Sequence, residues 1–358
     1  MPFDRIRASA PALLVLFLHV ALGTACAARE TESPIIEFVE PAAEVRSEGA
    51  LRVATANMWG VSVLGFDWAR EIDARFEALA ERLARNEPRI DVVLIQEAWK
   101  DSARRALLTD PRLADRFPYR VDIATRPGGA GLVVLSRIPL EAARFHRYRA
   151  QGNCLKFWEG DCLSGKGVAF VRARIGDRSV WIGNTHLIAC YAPDETAPGS
   201  CDEDDPNGLD RWHQLEELRQ VISDLVGDDP ILVAGDFNFT RSSRYYAHMQ
   251  ASTPESVGTP MKDSMADAPG RFDWTEAGEA TDAGGGLDFI WMRSGKDLRW
   301  HAQRPVRAIF EEPVELPSGE SMPLSDHPIL AGEFCLVPSE DPGHACVSSR
   351  ASTRDPSP

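Results

Sequence analysis

The sequence predicts an α/β fold in which at least one sheet is covered by helices. Short apolar runs of strand length alternate along the chain with segments whose apolar residues recur at helical spacing. At 358 residues the chain is long enough to bury a large core, and one α/β domain often takes about 250 residues. Because the sequence has no internal repeat of fixed period, we expect a single domain over residues 50–337.

The predicted elements follow one another as strands with two helices among them. The strand LRVATANMW begins near Ala50. A first helix ends at Asn86-Glu87-Pro88, and its apolar residues at helical spacing are Trp68, Ile72, Phe76, Leu79 and Leu83. A second helix shows the same spacing in Trp212, Leu215, Leu218, Ile222 and Leu225. Further apolar runs predict strands at 91–96, 131–136, 168–175, 179–187, 231–238, 287–293 and 331–337.

The N-terminal residues predict export from the cytosol. Arg5 and Arg7 precede an apolar run of only about ten residues, whereas a membrane span needs roughly twenty. We therefore expect residues 1–27 to be a signal peptide, cleaved either at an A-x-A site or, as a lipoprotein signal, before Cys26. The mature protein would be periplasmic, attached to the outer surface by a lipid, or secreted.

Residues 28–49 are predicted to be an acidic linker, and residues 338–358 a polar tail. Seven cysteines less Cys26 leave six, an even number that suits disulfides in an oxidising compartment. Neighbour pairing is one of several connectivities that six cysteines allow, and unpaired buried cysteines are the alternative. The predicted pairs are Cys154 with Cys162, Cys190 with Cys201, and Cys335 with Cys346.

The charge of the chain argues against nucleic acid as a partner. The formal net charge is −15 and the pI is near 5.0, whereas binding a phosphate backbone takes a basic surface. The segment 194–210 holds seven acidic residues and no basic one. We interpret it as a solvated loop, although over a cleft it would repel DNA and favour a zwitterionic choline headgroup.

Polar side chains recur where the predicted strands end. A single such residue is ordinarily a turn residue, but several at strand ends favour a functional site. They are Asn57, Glu97, His186, Asp236, Asn238 and Asp288, with Asp326 and His327 in the segment PLSDHPIL. Asn57 and Glu97 offer the oxygen ligands that Mg²⁺ prefers, and no CxxC or HExxH pattern indicates zinc. Carboxylates and histidines beside such an ion can supply acid-base chemistry on a phosphoester.

The ordered motifs TANMWG, IQEAW, GLVVLSRIPL, NTHL, GDFN, LDFI and SDHP resemble the endonuclease/exonuclease/phosphatase (DNase I-like) superfamily. The resemblance covers about residues 51–337. It implies a four-layer α/β sandwich, with two facing mixed β-sheets flanked by helices. It also implies a phosphoesterase that depends on Mg²⁺, with Mn²⁺ as a substitute.

The resemblance implies roles on the metal and water side of the site. Glu97 is the principal metal ligand, and Asn57 lies beside it. Asp236 orients or deprotonates the attacking water, and Asn238 holds the water and the phosphate.

It also implies roles on the proton-donating side. His186 donates to a phosphate oxygen, and His327 is an acid-base group or transition-state donor that works as a unit with Asp236. Asp288 fixes the tautomer of His327, and Asp326 lies in the metal-phosphate network.

The stretch EGDCLSGKGVAF places Lys166 between two glycines, five residues after Asp161. With Trp59-Gly60 and Tyr191, it looks like the neutral sphingomyelinase branch of the superfamily. There an Asp and a Lys with this spacing flank the phosphate, which implies that Asp161 holds Lys166 away until substrate docks. A plain glycine-rich turn is the alternative.

Three functions follow from these readings. The leading one is a monomeric phospholipase C-type hydrolase at a membrane surface, which cleaves sphingomyelin or a choline lysophospholipid to phosphocholine and a lipid alcohol. A secreted nuclease would share every catalytic residue, but the acidic charge disfavours it. A binding module without chemistry would leave gaps among the matched positions, and we find none. Phe157 and Trp158 beside the lysine loop are either a membrane-touching edge or core.

Overall fold

The computed structural model describes residues 35–38, 50–63, 65–123, 129–153, 161–191, 205–250, 272–274, 286–316 and 318–340. Several sequence predictions lie outside the described residues: the signal peptide with Cys26, the aromatic pair Phe157 and Trp158, most of the acidic segment 194–210, and residues 341–358 of the polar tail. Cys162, Cys190 and Cys335 are described and buried. Their predicted partners Cys154, Cys201 and Cys346 are not described, so the pairing stays a prediction.

The strands in chain order are β1 (Ile35–Phe38), β2 (Ala50–Asn57), β3 (Ser62–Val63), β4 (Phe66–Asp67), β5 (Val92–Gln96), β6 (Tyr119–Asp122), β7 (Val133–Ser136), β8 (Leu140–Arg147), β9 (Gly167–Ile175), β10 (Arg178–His186), β11 (Ile231–Asp236), β12 (Phe272–Trp274), β13 (Asp288–Arg293), β14 (Leu298–Ile309), β15 (Val314–Glu315), β16 (Ser321–Met322) and β17 (Ile329–Pro338). The helices are α1 (Ile72–Arg85), α2 (Asp101–Thr109), α3 (Pro111–Ala114), α4 (Gly208–Val226) and α5 (Arg244–Gln250). No helix in the described part of the chain has both the length and the apolar character needed to cross a bilayer.

Two mixed sheets face each other across the main core. One has the strand order β1-β6-β7-β5-β2-β17-β14, and the other has the order β12-β13-β11-β10-β9-β8. In β5, Val92 and Leu94 point into the core between the sheets, whereas Val93 and Ile95 point toward α1, α2 and α3. Helices α4 and α5 cover the outer face of the second sheet. The predicted four-layer sandwich is therefore confirmed, and strands buried on both faces explain the continuous apolar runs.

The register of the second sheet brings three predicted residues to one edge. Strands β10 and β11 are parallel, with His186 beside Asp236. Strand β13 runs antiparallel to β11 and places Asp288 on the other side of Asp236. In the first sheet the parallel strands β2 and β5 end side by side at Asn57 and Gln96, and Glu97 comes next. The site thus lies where the carboxyl ends of β2, β5, β10 and β11 meet the first residue of β13.

Two predictions about elements are corrected. Ile35–Phe38, inside the predicted linker, forms strand β1 and pairs antiparallel with β6 at the sheet edge. Trp68 does not belong to the first helix, which begins at Ile72, and its side chain is 60% exposed. The residue before that helix, Glu71, has a left-handed backbone with φ of 50°, which interrupts the helical path.

Candidate active site

Asn57 joins the ends of the two sheets. Its amide nitrogen Nδ2 donates to Oδ2 of Asp236 at 2.9 Å and to Oε1 of Glu97 at 3.1 Å. Its oxygen Oδ1 accepts from the backbone N–H of Trp59 at 3.0 Å. In this orientation Asn57 presents N–H groups to the two carboxylates and holds them in place. Its role as an oxygen ligand of Mg²⁺ stays a prediction. Glu97 itself has a left-handed φ of 57°, an uncommon conformation that clusters at functional sites.

The loop that carries Asp161 and Lys166 closes one side of this site. Lys166 is only 2% exposed, and its Nζ lies 2.8 Å from Nε2 of His186, 3.1 Å from the carbonyl of Leu187 and 3.1 Å from Oδ1 of Asp161. The plain glycine-rich turn is therefore not sufficient to explain this loop, since its lysine reaches into the site. The ammonium contacts Asp161 and His186 together, and the release of Lys166 from Asp161 when substrate docks stays a prediction.

His186 is held as a neutral imidazole. Its pKa is lowered well below the ordinary value, first by burial and then by the positive charges of Lys166 and His327. Because the lysine donates to Nε2, the ring proton belongs on Nδ1, and this nitrogen has no hydrogen-bond partner within the described residues. Nε2 lies 3.5 Å from Oδ2 of Asp236 and 3.8 Å from Oε1 of Glu97.

His327 is held in the opposite charge state. Its Nδ1 lies 2.7 Å from Oδ2 of Asp288, and its Nε2 lies 3.9 Å from Oδ2 of Asp236. Burial alone would lower the pKa of His327, but the carboxylates of Asp288 and Asp236 outweigh it and raise the pKa well above the ordinary value. Burial also raises the pKa of Asp288 to about 6. The predicted pairing of Asp288 with His327 is present in the structure.

Asn238 and Asp326 lie nearby in supporting positions. The backbone N–H of Asn238 donates to Oδ1 of Asp236 at 2.9 Å, and its side-chain amide donates to the carbonyl of Leu187 at 3.0 Å. Asp326 lies 3.2 Å from the hydroxyl of Ser325, which donates to the carbonyl of Asn57 at 2.6 Å. Asn238 therefore fixes the orientation of Asp236, and Ser325 ties the loop of His327 to the loop of Asn57.

The donor set fits a hard divalent cation. Oxygen or nitrogen atoms of Glu97, His186 and Asp236 lie within 4.8 Å of one another, as do those of Asp236, Asp288 and His327. Oε2 of Glu97 is buried and has no hydrogen-bond partner among the described residues. Burial, the largest cause, raises the pKa of Glu97 to about 7. A buried carboxylate oxygen without a hydrogen-bond partner is what a bound Mg²⁺ would satisfy, and Glu97 with Asp236 would hold the ion.

Three supporting residues were not predicted from the sequence. The ring of Trp99 lies 5.7 Å from that of His186, and Nζ of Lys166 lies 5.6 Å from the Trp99 ring centre. Gln96 donates to Oδ1 of Asn184 at 2.6 Å between the two sheets. Trp99 and Gln96 flank Glu97 in the motif IQEAW, so their nearness to a predicted ligand was the available signal.

Arg75 is the third of these residues. It is fully buried on α1 and donates to the carbonyls of Met58 at 2.5 Å, Trp59 at 2.7 Å and Leu324 at 3.4 Å. Its guanidinium therefore links the loop after Asn57 to the loop before His327. An arginine on an amphipathic helix ordinarily lies at the surface, so the sequence carried no signal for this role.

Comparison with known proteins defines the class to which this fold and site belong. Residues 54–327 match the model of the Endonuclease/Exonuclease/phosphatase family. The chain belongs to this family, as its ordered motifs predicted.

Two named relatives are similar to large parts of this chain. A Drosophila melanogaster protein named putative neutral sphingomyelinase is 26% identical over 303 residues, which are 82% of this chain and 63% of the relative. An inositol phosphosphingolipids phospholipase C of Schizosaccharomyces pombe is 31% identical over 198 residues, 52% of this chain and 41% of the relative. The chain thus spans less than two thirds of the length of either relative.

Solved structures share the fold. Sphingomyelinase C from Streptomyces griseocarneus superposes with a TM-score of 0.52 at 23% identity and covers 79% of this chain and 99% of its own. A mutant beta toxin of Staphylococcus aureus with bound magnesium ions gives a TM-score of 0.52 at 16% identity, with 79% and 98% coverage. At these identities the likeness concerns the fold alone.

Proposed function

We propose that this chain is an exported, Mg²⁺-dependent phospholipase C-type phosphodiesterase, with residues 50–337 as its catalytic domain. Its proposed substrate is sphingomyelin or a choline lysophospholipid, and its products are phosphocholine and a lipid alcohol. The observation that carries the proposal is the buried Lys166, 2.8 Å from His186, at the strand edge that also holds Glu97 and Asp236. One buried ammonium beside one cation site suits a phosphodiester, which has a single negative charge.

In the proposed reaction the oxygen of water bonds to phosphorus, the bond to the lipid oxygen breaks, and the lipid alcohol leaves with a proton. Asp236 orients the water or accepts its proton, because Asn57 and the backbone of Asn238 fix its carboxylate. His327 donates the proton from Nε2, since its raised pKa keeps the ring charged. These two groups lie 3.9 Å apart, which supports their assignment as one unit.

Electrostatic stabilisation is proposed to come from two sources. When bound at Glu97 and Asp236, Mg²⁺ would stabilise the charge that develops on the phosphate oxygens, and Mn²⁺ would substitute for it. Lys166 would donate to a phosphate oxygen by exchanging its contact with His186. Asp161 is proposed to set the position of the ammonium, because it remains within 3.1 Å while Lys166 faces the site.

The substrate class and the compartment have separate support. The names of the two relatives both describe enzymes of sphingolipid phosphoesters. Export is supported by the N-terminal sequence and by the six cysteines other than Cys26, an even number that suits disulfides in an oxidising compartment. We propose that each pairs with its neighbour in sequence, and that the catalytic unit is a monomer acting on phospholipid.

The test offers sphingomyelin, lysophosphatidylcholine, an inositol phosphosphingolipid and plasmid DNA to the purified mature chain with Mg²⁺. We expect phosphocholine release that is abolished by EDTA and by Glu97→Gln, whereas Glu81→Gln, an exposed glutamate on α1, retains activity. Release of an inositol phosphate alone would move the substrate to the inositol sphingolipids. Nicked DNA without phosphocholine would replace the proposal with a nuclease, and inactivity on every substrate would favour a binding module.

A further inference from the structure

Helix α4 carries a fully buried polar side chain within its apolar face. The apolar residues of this face include Leu215, Leu218 and Ile222, and Gln214 lies among them with none of its surface exposed. A helix ordinarily buries an apolar stripe, and a buried amide is stable there only when its donor and acceptor groups are both hydrogen-bonded. The proposed reaction uses no residue of α4, so the position of Gln214 needs a separate explanation.

Gln214 joins two loops that both contact Lys166. Its oxygen Oε1 accepts from the backbone N–H of Ile188 at 2.8 Å, and its nitrogen Nε2 donates to the carbonyl of Ala150 at 2.8 Å. Ile188 lies in the loop after strand β10, and Ala150 lies in the loop after strand β8. One side chain of α4 therefore fixes the separation of two loops that are distant in sequence.

The loop after β10 receives the ammonium of the lysine. The carbonyl of Leu187 accepts from Nζ of Lys166 at 3.1 Å and from the side-chain amide of Asn238 at 3.0 Å. This carbonyl and the N–H of Ile188 belong to the same peptide group, which is planar and rigid. By holding that N–H, Gln214 also sets the direction of the carbonyl that the ammonium contacts.

The loop after β8 holds the backbone of the lysine. The carbonyl of Lys166 accepts from the backbone N–H of Tyr148 at 3.0 Å and from Nε2 of Gln151 at 2.8 Å. Ala150 lies between these two donors in sequence, so its hydrogen bond to Gln214 helps to place both of them. The ammonium and the carbonyl of Lys166 therefore both depend on one amide of α4.

We propose that Gln214 is a positioning residue that sets how Lys166 reaches into the site, and that it affects the reaction through this lysine. The inference rests on the proposed function, in which Lys166 donates to a phosphate oxygen. The alternative is a purely structural role, in which Gln214 only satisfies two buried backbone groups. Under that alternative, its loss would lower stability without displacing the ammonium.

The first measurement needs no substrate. In proton–nitrogen correlation NMR spectra of the mature chain, the ammonium of Lys166 should give a signal, because burial and three nearby acceptors slow the exchange of its protons. The signal is identified by its absence in Lys166→Met. We expect it to be shifted or lost in Gln214→Leu and unchanged in Gln220→Leu, which alters an exposed glutamine of the same helix. Gln214→Glu keeps an acceptor for Ile188 but loses the donor to Ala150, so a smaller change is expected.

The second measurement is kinetic and uses the substrate that the test of the proposed function identifies. For Gln214→Leu we expect kcat to fall about 10²-fold, as for a misplaced catalytic group, with little change in KM. Adding Gln214→Leu to Lys166→Met should cost no further activity, because both changes remove the same donor. Gln220→Leu should keep the wild-type kcat.

The outcomes separate this inference from the proposed function. An unchanged ammonium signal in Gln214→Leu would overturn the inference, and so would losses of kcat that multiply in the double variant. If Gln214→Leu does not fold, Gln214→Glu decides the matter, and failure of both variants to fold would assign Gln214 to structure alone. A displaced ammonium in a chain that cleaves none of the lipids offered would support the positioning role while the proposed substrate fails.

Discussion

His186 and His327 lie on opposite sides of Asp236 and have opposite charge states. Their Nε2 atoms are 3.5 Å and 3.9 Å from Oδ2 of the same carboxylate. Burial and the ammonium of Lys166 lower the pKa of His186, whereas the carboxylates of Asp288 and Asp236 overcome burial and raise the pKa of His327. The difference shows that the neighbouring charged groups, rather than the histidine side chain itself, decide which ring is neutral and which is protonated. The two histidines of one site can therefore have different chemical roles.

This difference changes the role expected of His186. A neutral ring whose Nε2 accepts from Lys166 does not offer that nitrogen as a donor to phosphate. The group with protons to donate on this side is the ammonium of Lys166. On the other side His327 carries a proton on both ring nitrogens. The Nδ1–H group donates a hydrogen bond to Asp288, so the Nε2–H group remains free to donate a proton. We therefore expect charge stabilisation from the His186 side and proton donation from the His327 side.

Exchanging each histidine for asparagine tests this division with the largest expected effect. For His327→Asn we expect kcat to fall about 10²–10⁴-fold, the range for a lost general acid or base, and a smaller fall for His186→Asn. Wild-type activity should decline as the pH rises through the raised pKa of His327, because the charged form is the donor. The pH profile of phosphocholine release should lose this alkaline limb only in His327→Asn. Equal losses with identical profiles would contradict the division.

Removing the charge of Lys166 should produce a smaller loss. Lys166→Met keeps much of the side-chain volume but removes the donor to phosphate, and the loss of one such donor typically costs about 10²-fold in kcat. It also removes a positive charge that lowers the pKa of His186, so that pKa should rise and be visible by NMR titration of the ring. Lys100→Met, which removes an outer lysine paired with Asp67 and Asp73, is the matched control. A Lys166→Met enzyme with wild-type kcat would exclude the lysine from the reaction.

The fold was more predictable than the charges. Strands such as Val92–Gln96, which are buried on both faces, show as short apolar runs, and the four-layer prediction from the ordered motifs is confirmed. Strand β14 was missed because it is rich in arginine and irregular in register, as suits an edge strand. Trp68 was assigned to a helix because its spacing fits, while the left-handed backbone at Glu71 has no signature in the sequence.

Residue types at strand ends predicted which side chains would meet, but their charge states depend on packing between distant segments. Lys166 comes 20 positions before His186, and Asp288 comes 39 before His327. Whether a histidine faces an ammonium or a carboxylate is decided only when the sheets assemble. Arg75 was missed for the same reason, because its partners are backbone carbonyls on two loops that the fold brings together.

The smallest predicted effect is on thermal stability, and it concerns the titration of Glu97 and the binding of Mg²⁺. The pKa of Glu97 is raised from its ordinary value of 4.5 to about 7 in the folded chain. Without metal, the contribution of Glu97 to the free energy of unfolding is therefore fully present below its ordinary pKa of 4.5 and is lost as the pH rises through its folded-state pKa of about 7. Mg²⁺ needs the ionised carboxylate and should therefore raise the melting temperature more at about pH 8 than at about pH 6, by a few degrees. Thermal unfolding with and without Mg²⁺ measures this difference. Glu97→Gln should lose both the pH dependence and the Mg²⁺ shift, whereas the exposed Glu81→Gln should keep them. A Mg²⁺ shift that survives in Glu97→Gln would place the cation on other ligands, away from the side of the site that His186 and Lys166 enclose.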